Sequence, residues 1–258
     1  YNTVVGSYAL DGSTVDANKN TAVGYLSLSA ACNDENTAIG YEALKVFTGD
    51  YTTAVGSSSA AALTDGQRIT AIGRGALKIA VSQDDCTAVG FNALDAATSG
   101  DQNTAVGSYA LSATVDGTRN TALGYGAANA DCADDNTAVG WSALNNCTNS
   151  YNVAVGSYAM KNGTTQDHCV AIGRSALEGD GSTAPTGNYN IAIGSFSLDA
   201  NTTGHSNVAL GYQALTAAVD GNYNVCIGRQ AGQSITSAGG AVAIGYAALA
   251  TEDASGTS

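Results

Sequence analysis

A short unit ending in glycine recurs along the whole chain, and this repeat limits the fold more than any other feature. Its consensus is Asn-Thr-Ala-Val-Gly-x-x-Ala-Leu, and it occurs fifteen times. Successive glycines are 16 to 18 residues apart, except for one interval of 21 residues that holds the only proline. A unit this small cannot bury its own apolar face, so the units must stack on one another. The repeat glycines are Gly6, Gly24, Gly40, Gly56, Gly73, Gly90, Gly107, Gly124, Gly140, Gly156, Gly173, Gly194, Gly211, Gly228 and Gly245.

Each unit is numbered here from its glycine as position 0. Position −1 is always Val, Ile or Leu, and position −2 is Ala in all but two units. Position −3 is Thr in the first nine units and Val or Ile in the last six, while position −4 is Asn in ten units. This pattern predicts a short strand over −4 to −1, with −3 and −1 on one face and −2 and −4 on the other. The exchange of Thr with Val predicts a snug, mostly apolar site at −3, and the glycine predicts a bend with positive φ or a close backbone approach.

Charges at position −5 indicate how the units are arranged. One unit per coil gives an all-β parallel β-solenoid of about 15 coils of 16–18 residues, whereas a 50-residue super-period allows three units per turn. Three units per turn would align Glu35, Asp85 and Asp135, and a ladder of like charges is destabilising. We therefore favour one unit per coil, which places three pairs of opposite charges side by side. These pairs are Lys19 with Glu35, Arg68 with Asp85, and Arg119 with Asp135.

The composition argues against several classes of protein. Charged residues make up 12% of the chain, about half the usual fraction, and the net charge is −13. Such a chain should repel nucleic acid and anionic lipid alike, and it holds no apolar stretch long enough to insert into a membrane. Its two histidines, His168 and His205, lie in loops, so we expect no enzyme and no cofactor. We expect one tandem array over residues 1–250, and a tail or a link to a further domain over 251–258.

Small residues indicate that the protein is an oligomer of more than one chain. Alanine fills position −2, and more alanine occurs at +3 in Ala9, Ala43, Ala76, Ala93 and Ala110. A flat alanine face invites close approach by another sheet, so we expect this face to be buried between chains. Neither end of the array has a polar cap of the kind that solenoids need, so we expect the chain to be a segment of a longer fibre.

Three units carry a resemblance to known repeats: residues 20–28, 36–44 and 207–215, with the linker Asn-Thr-Thr-Gly at 201–204. They resemble the head repeats of trimeric autotransporter adhesins, and even more the related repeats of bacteriophage tail fibres. The resemblance covers essentially the whole chain. It implies a left-handed parallel β-roll, a homotrimer and a role in surface attachment outside the cell. Arg74, Arg174 and Arg229 at +1 and the six cysteines depart from the pattern, which leaves the ligand open.

Aromatic residues are the candidate binding residues. All thirteen tyrosines occupy −5, +1 or +2, which predicts aromatic strips along the coils. These strips either cover a core or an interface between chains, or they form a surface that stacks on glycans or contacts a receptor. The candidates at +1 are Tyr25, Tyr41, Phe91, Tyr125, Trp141, Tyr212 and Tyr246.

Cysteines and acids supply two further hypotheses. Cys132 and Cys147 occupy nearly equivalent loop positions in consecutive coils, which makes them a candidate disulfide. No Cys or His spacing indicates zinc. Acidic pairs precede every third strand in the first part of the array, and they are either calcium ligands or solvated acids paired with Lys and Arg. These pairs are Asp34–Glu35, Asp84–Asp85 and Asp134–Asp135.

The expected function is structural attachment by a trimeric fibre. Its partners would be further copies of itself and a glycan or protein of a host surface, and its location a virion tail fibre. The first alternative is the head of a bacterial trimeric autotransporter adhesin at the cell surface. The second is an ice-binding solenoid that uses the threonine column from Thr3 to Thr137. A passive surface filament is the third.

Overall fold

The computed structural model describes residues 1–12, 17–146, 148–179 and 185–250. The chain divides into two compact units, Tyr1–Gly126 with Asp131–Ala133, and Ala127–Ala130 with Asp134–Ser258. Each unit is described by itself. Every regular element in the described residues is a three-residue strand, and none is a helix long and apolar enough to cross a membrane.

The strands of the first unit occupy positions −3 to −1 of successive repeats. They are β1 (Thr3–Val5), β2 (Thr21–Val23), β3 (Thr37–Ile39), β4 (Thr53–Val55), β5 (Thr70–Ile72), β6 (Thr87–Val89), β7 (Thr104–Val106) and β8 (Thr121–Leu123). The second unit follows the same pattern. Its strands are β9 (Thr137–Val139), β10 (Val153–Val155), β11 (Val170–Ile172), β12 (Ile191–Ile193), β13 (Val208–Leu210), β14 (Val225–Ile227) and β15 (Val242–Ile244).

Within each unit every strand pairs in parallel with the next strand along the chain, in the same repeat register. Thr53 of β4 lies opposite Thr70 of β5, for example, and Val153 of β10 lies opposite Val170 of β11. The chain is therefore an all-β parallel β-solenoid with one repeat per coil, and its repeats make about 14 turns. Three repeats per turn are excluded within each unit.

Ion pairs between consecutive coils agree with this register. Lys19 Nζ lies 2.6 Å from Glu35 Oε1, and Arg68 Nε lies 2.5 Å from Asp85 Oδ1. Both pairs are solvent-exposed, so each stabilises the coil by only about 0–1 kcal/mol. The third predicted pair, Arg119 with Asp135, joins residues assigned to different units and stays a prediction.

The alanine face lies inside the coil, and the prediction that it is buried between chains is wrong. Ala54 and Ala71 at −2 are fully buried within the single chain, and so are Ala76 at +3 and Leu77 at +4. The residues at −3 and −1 point outward and stay partly exposed, so the predicted snug site at −3 is wrong as well. Strand alternation separates two faces, and it does not by itself say which face is inside.

Asparagine at −4 decides which face is inside. Asn36 is fully buried and donates from Nδ2 to the carbonyl oxygen of Gly49 in the next coil, at 3.0 Å. Its Oδ1 accepts the backbone N–H of Thr52, also at 3.0 Å. Buried backbone groups need partners, and a side-chain amide supplies both a donor and an acceptor in one residue. The face that carries Asn and Ala must therefore be the interior.

The repeat glycine combines a positive φ with a close backbone approach. Gly90 has φ +140°, and a Cβ there would lie 2.5 Å from the carbonyl oxygen of Gly107 in the next coil. Its own N–H donates to the carbonyl of Ile72 in the preceding coil at 2.8 Å. Both reasons that the sequence offered for the glycine are therefore confirmed.

Candidate binding surface

Two outward surfaces follow each other around the coil, and the glycine bend separates them. The first is the sheet face, defined here as the side chains at −3 and −1 of all strands. The second is the aromatic column, defined as the side chains at +1 and +2. After the column, the side chain at +4 points into the interior, and in most coils it is a buried leucine.

The sheet face carries no charge and is apolar along position −1. Every residue at −1 is Val, Ile or Leu, and every residue at −3 is Thr, Val or Ile. Ile72 and Leu210 are each 40% exposed, and most other side chains of the face away from its ends are partly exposed. Soluble monomers rarely expose a continuous apolar surface of this kind.

The aromatic column forms because equivalent side chains recur about 4.8 Å apart, close to the distance at which rings stack. In the first unit Tyr25 stacks on Tyr41 with centroids 5.6 Å apart, and Tyr8 meets Tyr25 edge-on at 6.0 Å. Phe91 and Tyr109 contact at 5.2 Å, and Arg74 lies over the ring of Phe91 at 5.5 Å. Tyr109 in turn contacts Tyr125 at 5.9 Å.

The second unit continues the same placement with more cations. Trp141 lies 4.9 Å from Tyr158, and Lys161 Nζ lies 4.6 Å from the centre of the Tyr158 ring. Further along the array, Arg174 and Arg229 lie over rings at +1 and +2. Every aromatic candidate at +1 is thus on the outside, and ring contacts run between coils in both units. Binding by these residues stays a prediction.

A second, shorter aromatic stack occurs at −5 in the second unit. His168 lies between Tyr151 and Tyr189, with ring centroids 4.8 and 5.1 Å away. All three side chains are exposed. His168 therefore fills a place in a ring stack between successive coils.

The acids of the loops have structural partners. Asp34 Oδ1 accepts the backbone N–H of Asn18 in the preceding coil at 2.7 Å, and Asp84 Oδ1 accepts that of Gln67 at 2.8 Å. Position −6 thus holds one coil to the next, while Glu35 and Asp85 at −5 pair with cations. Within the residues that the structure describes, no group of three His, Cys, Asp or Glu side chains is arranged to hold a metal ion.

The described cysteines are interior residues. Burial raises the pKa of the Cys86 thiol to about 11, and it does the same for Cys32 and Cys226. These thiols stay protonated and unreactive at neutral pH. Cys132 is buried too, but the Cys132–Cys147 disulfide involves residue 147, which lies outside the described residues.

Two buried glutamines were missed by the sequence analysis. Gln83 and Gln166 are inside the coil at −7, where most repeats have glycine or another small residue. They occur in the two coils that carry cysteine at −4, Cys86 and Cys169. Glutamine at −7 thus accompanies the replacement of asparagine by the smaller cysteine at −4. This paired exchange is visible in the sequence and was the signal from which the buried glutamines could have been predicted.

The left-handed backbone at non-glycine residues was not predicted from the sequence either. Positions −5, +2 and +4 have φ near +50 to +60°, as at Arg68, Tyr109 and Leu111. Such values are uncommon outside glycine. The sequence held a signal for this backbone conformation, because glycine occurs at these positions in some coils. Gly75 and Gly126 at +2 and Gly232 at +4 have φ in the same left-handed region.

Asp199 is a partly buried acid, and it should make stability depend on pH. Burial, helped by the nearby charge of Glu178, raises the pKa of its carboxyl group to about 6 from 3.8. Ionisation therefore costs more in the folded than in the unfolded chain, and this penalty grows as pH rises from 4 to above 6. We expect Asp199→Asn to raise the free energy of unfolding by about 1 kcal/mol at pH 7, a value reduced because the group is partly solvated.

Denaturant unfolding followed by circular dichroism at pH 4 and pH 7 checks this expectation. The gain should be much smaller at pH 4, where the carboxyl group is protonated in the folded chain and close to its ordinary pKa of 3.8 in the unfolded chain. Asp116→Asn, at an exposed acid, should change stability little at either pH. An equal gain for Asp199→Asn at both pH values would contradict the expectation.

Comparison with known proteins adds no relative. No family model matches the chain, and no curated protein matches it.

Proposed function

We propose that the chain is a structural, host-attachment segment of a homotrimeric fibre, a left-handed β-roll of the bacteriophage tail-fibre kind. The sheet face carries this proposal. Position −1 of this face is apolar in all fifteen repeats, position −3 is Thr, Val or Ile, and these side chains are at least partly exposed in the single chain, where alanine, leucine and asparagine already fill the interior of the coil.

A further copy of this chain is the partner that fits the sheet face best. A repeating apolar surface is matched along its length only by a surface with the same repeat. A second copy of this chain has that repeat because it has the same sequence. Parallel copies around one axis give a closed cyclic assembly, in which each subunit uses the same surface. The head of a bacterial trimeric autotransporter adhesin has the same arrangement and remains the alternative, since both kinds of fibre present such repeats outside the cell.

The mass of the protein in solution tests the proposal. Light scattering coupled to size-exclusion chromatography should give three times the 25.6 kDa of one chain. Replacing both Val89 and Val106 by Glu places charge on the sheet face and should abolish the trimer. Gln102→Glu, which adds one negative charge at an exposed residue outside that face, should leave the trimer intact. A folded wild-type monomer would refute the proposal.

Ice binding is the second candidate, and the outward threonine column favours it. Thr at −3 is aligned in register on consecutive strands, as Thr53, Thr70 and Thr87 are, and each is partly exposed. A flat sheet with a regular threonine row is a surface that could order water. Attachment through a trimer and ice binding need the same face, so only one of them can use it.

Thermal hysteresis separates the two candidates. A trimer that covers the sheet face should show none at millimolar concentration. Freezing-point depression by a folded monomer, reduced by Thr70→Tyr and unchanged by Gln102→Glu, would support ice binding instead.

A further inference from the structure

A continuous strip of rings and guanidinium groups runs along the last five coils of the second unit. It consists of Arg174, Phe196, Tyr212, Arg229 and Tyr246, one residue from each coil, and is called the Arg/Tyr strip. The guanidinium carbon of Arg174 lies 5.3 Å from the Phe196 ring centre, and Phe196 meets Tyr212 edge-on at 6.3 Å. The guanidinium carbon of Arg229 lies between two rings, 5.7 Å from Tyr212 and 5.9 Å from Tyr246.

The arginines of the strip lack acidic partners. Within the described part of the chain, no carboxylate oxygen lies within 4.0 Å of the guanidinium nitrogens of Arg174 or Arg229. Both side chains are exposed. The chain has 22 acids and only nine Lys and Arg, yet none of its acids occupies +1 or +2 in these five coils. An anion from outside can therefore reach both guanidinium groups without competition from neighbouring residues at these positions.

Neutral hydrogen-bonding groups lie next to the strip. Gln213 and Gln230 follow Tyr212 and Arg229 at +2, and Gln230 Nε2 lies 3.4 Å from Gln213 Oε1. The strip thus offers ring faces, side-chain amides and guanidinium forks on one surface. Tyr212 is 43% exposed and Tyr246 is 73% exposed, so the rings can be reached as well.

We infer that the Arg/Tyr strip binds an acidic polysaccharide in which carboxylated sugars alternate with neutral ones. Ring faces stack on the apolar faces of sugars, the amides bind hydroxyl groups, and each arginine binds one carboxylate through two parallel hydrogen bonds. This inference rests on the proposed attachment function and names the class of its ligand. Nucleic acid does not fit, because its charges are far denser than two arginines can match in a chain of net charge −13.

The spacing of the arginines limits the ligand further. Arg174 and Arg229 are three coils apart, which corresponds to about 14 Å along the sheet. The rings of Phe196 and Tyr212 occupy the two coils between them. A ligand that satisfies the strip therefore presents one carboxylate at each end of a short neutral segment.

Binding of polysaccharides to the full chain tests the inference. The probe is hyaluronan, in which acidic and neutral sugars alternate, measured by isothermal titration calorimetry. Alginate and polysialic acid, which carry a carboxylate on every sugar, neutral dextran and dextran sulfate are the comparison ligands. Arg229→Ser and Tyr212→Ser are suitable variants, because serine occurs naturally at +1 in other coils, such as Ser108 and Ser157. We expect each to weaken binding of hyaluronan tenfold or more. Tyr25→Ser, in a ring pair of the first unit that has no arginine, should leave it unchanged.

The outcomes separate this inference from the proposed function. A trimeric mass with no binding of hyaluronan overturns the inference and leaves the fibre proposal standing. A monomeric mass with binding that Arg229→Ser abolishes does the opposite. Equal binding of dextran, binding of dextran sulfate alone, or binding that both serine variants retain would overturn the inference.

Discussion

Replacing Gly90 by alanine is expected to destabilise the coil strongly. The new Cβ would lie 2.5 Å from the carbonyl oxygen of Gly107, and the backbone there has φ +140°. A non-glycine residue at such a φ costs about 1–3 kcal/mol, and a clash with backbone that cannot move aside adds about 1–3 kcal/mol or more. We expect a loss of about 4 kcal/mol in the free energy of unfolding, measured by denaturant unfolding.

Gly245→Ala is the matched control for this prediction. Gly245 is the repeat glycine of the last coil, with φ +122°, and a Cβ there would meet no atom within 4 Å. Gly245→Ala therefore introduces the backbone strain without the clash, so it should lower the free energy of unfolding by about 1–3 kcal/mol. Equal losses for the two variants would show that stacking of one coil on the next does not require glycine.

Asn103→Ala is expected to have an effect of similar size. Asn103 is fully buried, and its Nδ2 donates to the carbonyl oxygen of Gly117 at 2.7 Å while its Oδ1 accepts the N–H of Asn120 at 2.9 Å. Alanine leaves both backbone groups without these partners in a dry interior. Each unsatisfied group costs about 1–3 kcal/mol, so we expect a loss of about 3–5 kcal/mol in the free energy of unfolding.

Thr104→Val provides the control for the asparagine ladder. Thr104 is the next residue in the chain, its side chain points outward, and valine occupies the same position in later coils, as at Val153. We expect a change of less than about 0.5 kcal/mol. A loss at Thr104 that equals the loss at Asn103 would mean that the sheet face, and not the asparagine face, is the interior.

The repeat alone predicted the strands and their register. Glycine spacing and the charges at −5 were sufficient because each residue of one coil has an equivalent neighbour in the next. Lys19 and Glu35 could be paired from the sequence for that reason. Strand boundaries were one residue too long, since −4 accepts the strand hydrogen bond at its carbonyl and sends its side chain inward, as Asn36 does.

The orientation of the strand faces could not be predicted from alternation alone. Large β-branched residues at −3 and −1 suggested an interior, and alanine at −2 suggested a surface for another chain. The hydrogen bonds of Asn103 and its equivalents show the opposite orientation, with the alanine face inside. An amide that satisfies backbone groups on the next coil has to be inside. This reversal moved the proposed interface from the alanine face to the sheet face.

The Arg/Tyr strip was only partly predictable. The sequence placed Tyr212 and Tyr246 on one column and marked Arg229 as a departure from the related repeats. It could not show that the guanidinium group lies over both rings, because that depends on side-chain conformations across three coils.

A pair of disulfide traps measures the coil register most directly. Thr53 and Thr70 lie opposite each other on β4 and β5, at the strand separation of about 4.8 Å that a disulfide can span. Thr53→Cys with Thr70→Cys should therefore crosslink within one chain on mild oxidation, as peptide mass spectrometry would detect. Thr53→Cys with Thr104→Cys, three repeats apart, should not. Crosslinking of the second pair without the first would contradict one repeat per coil, on which the fold, the interface and the Arg/Tyr strip all depend.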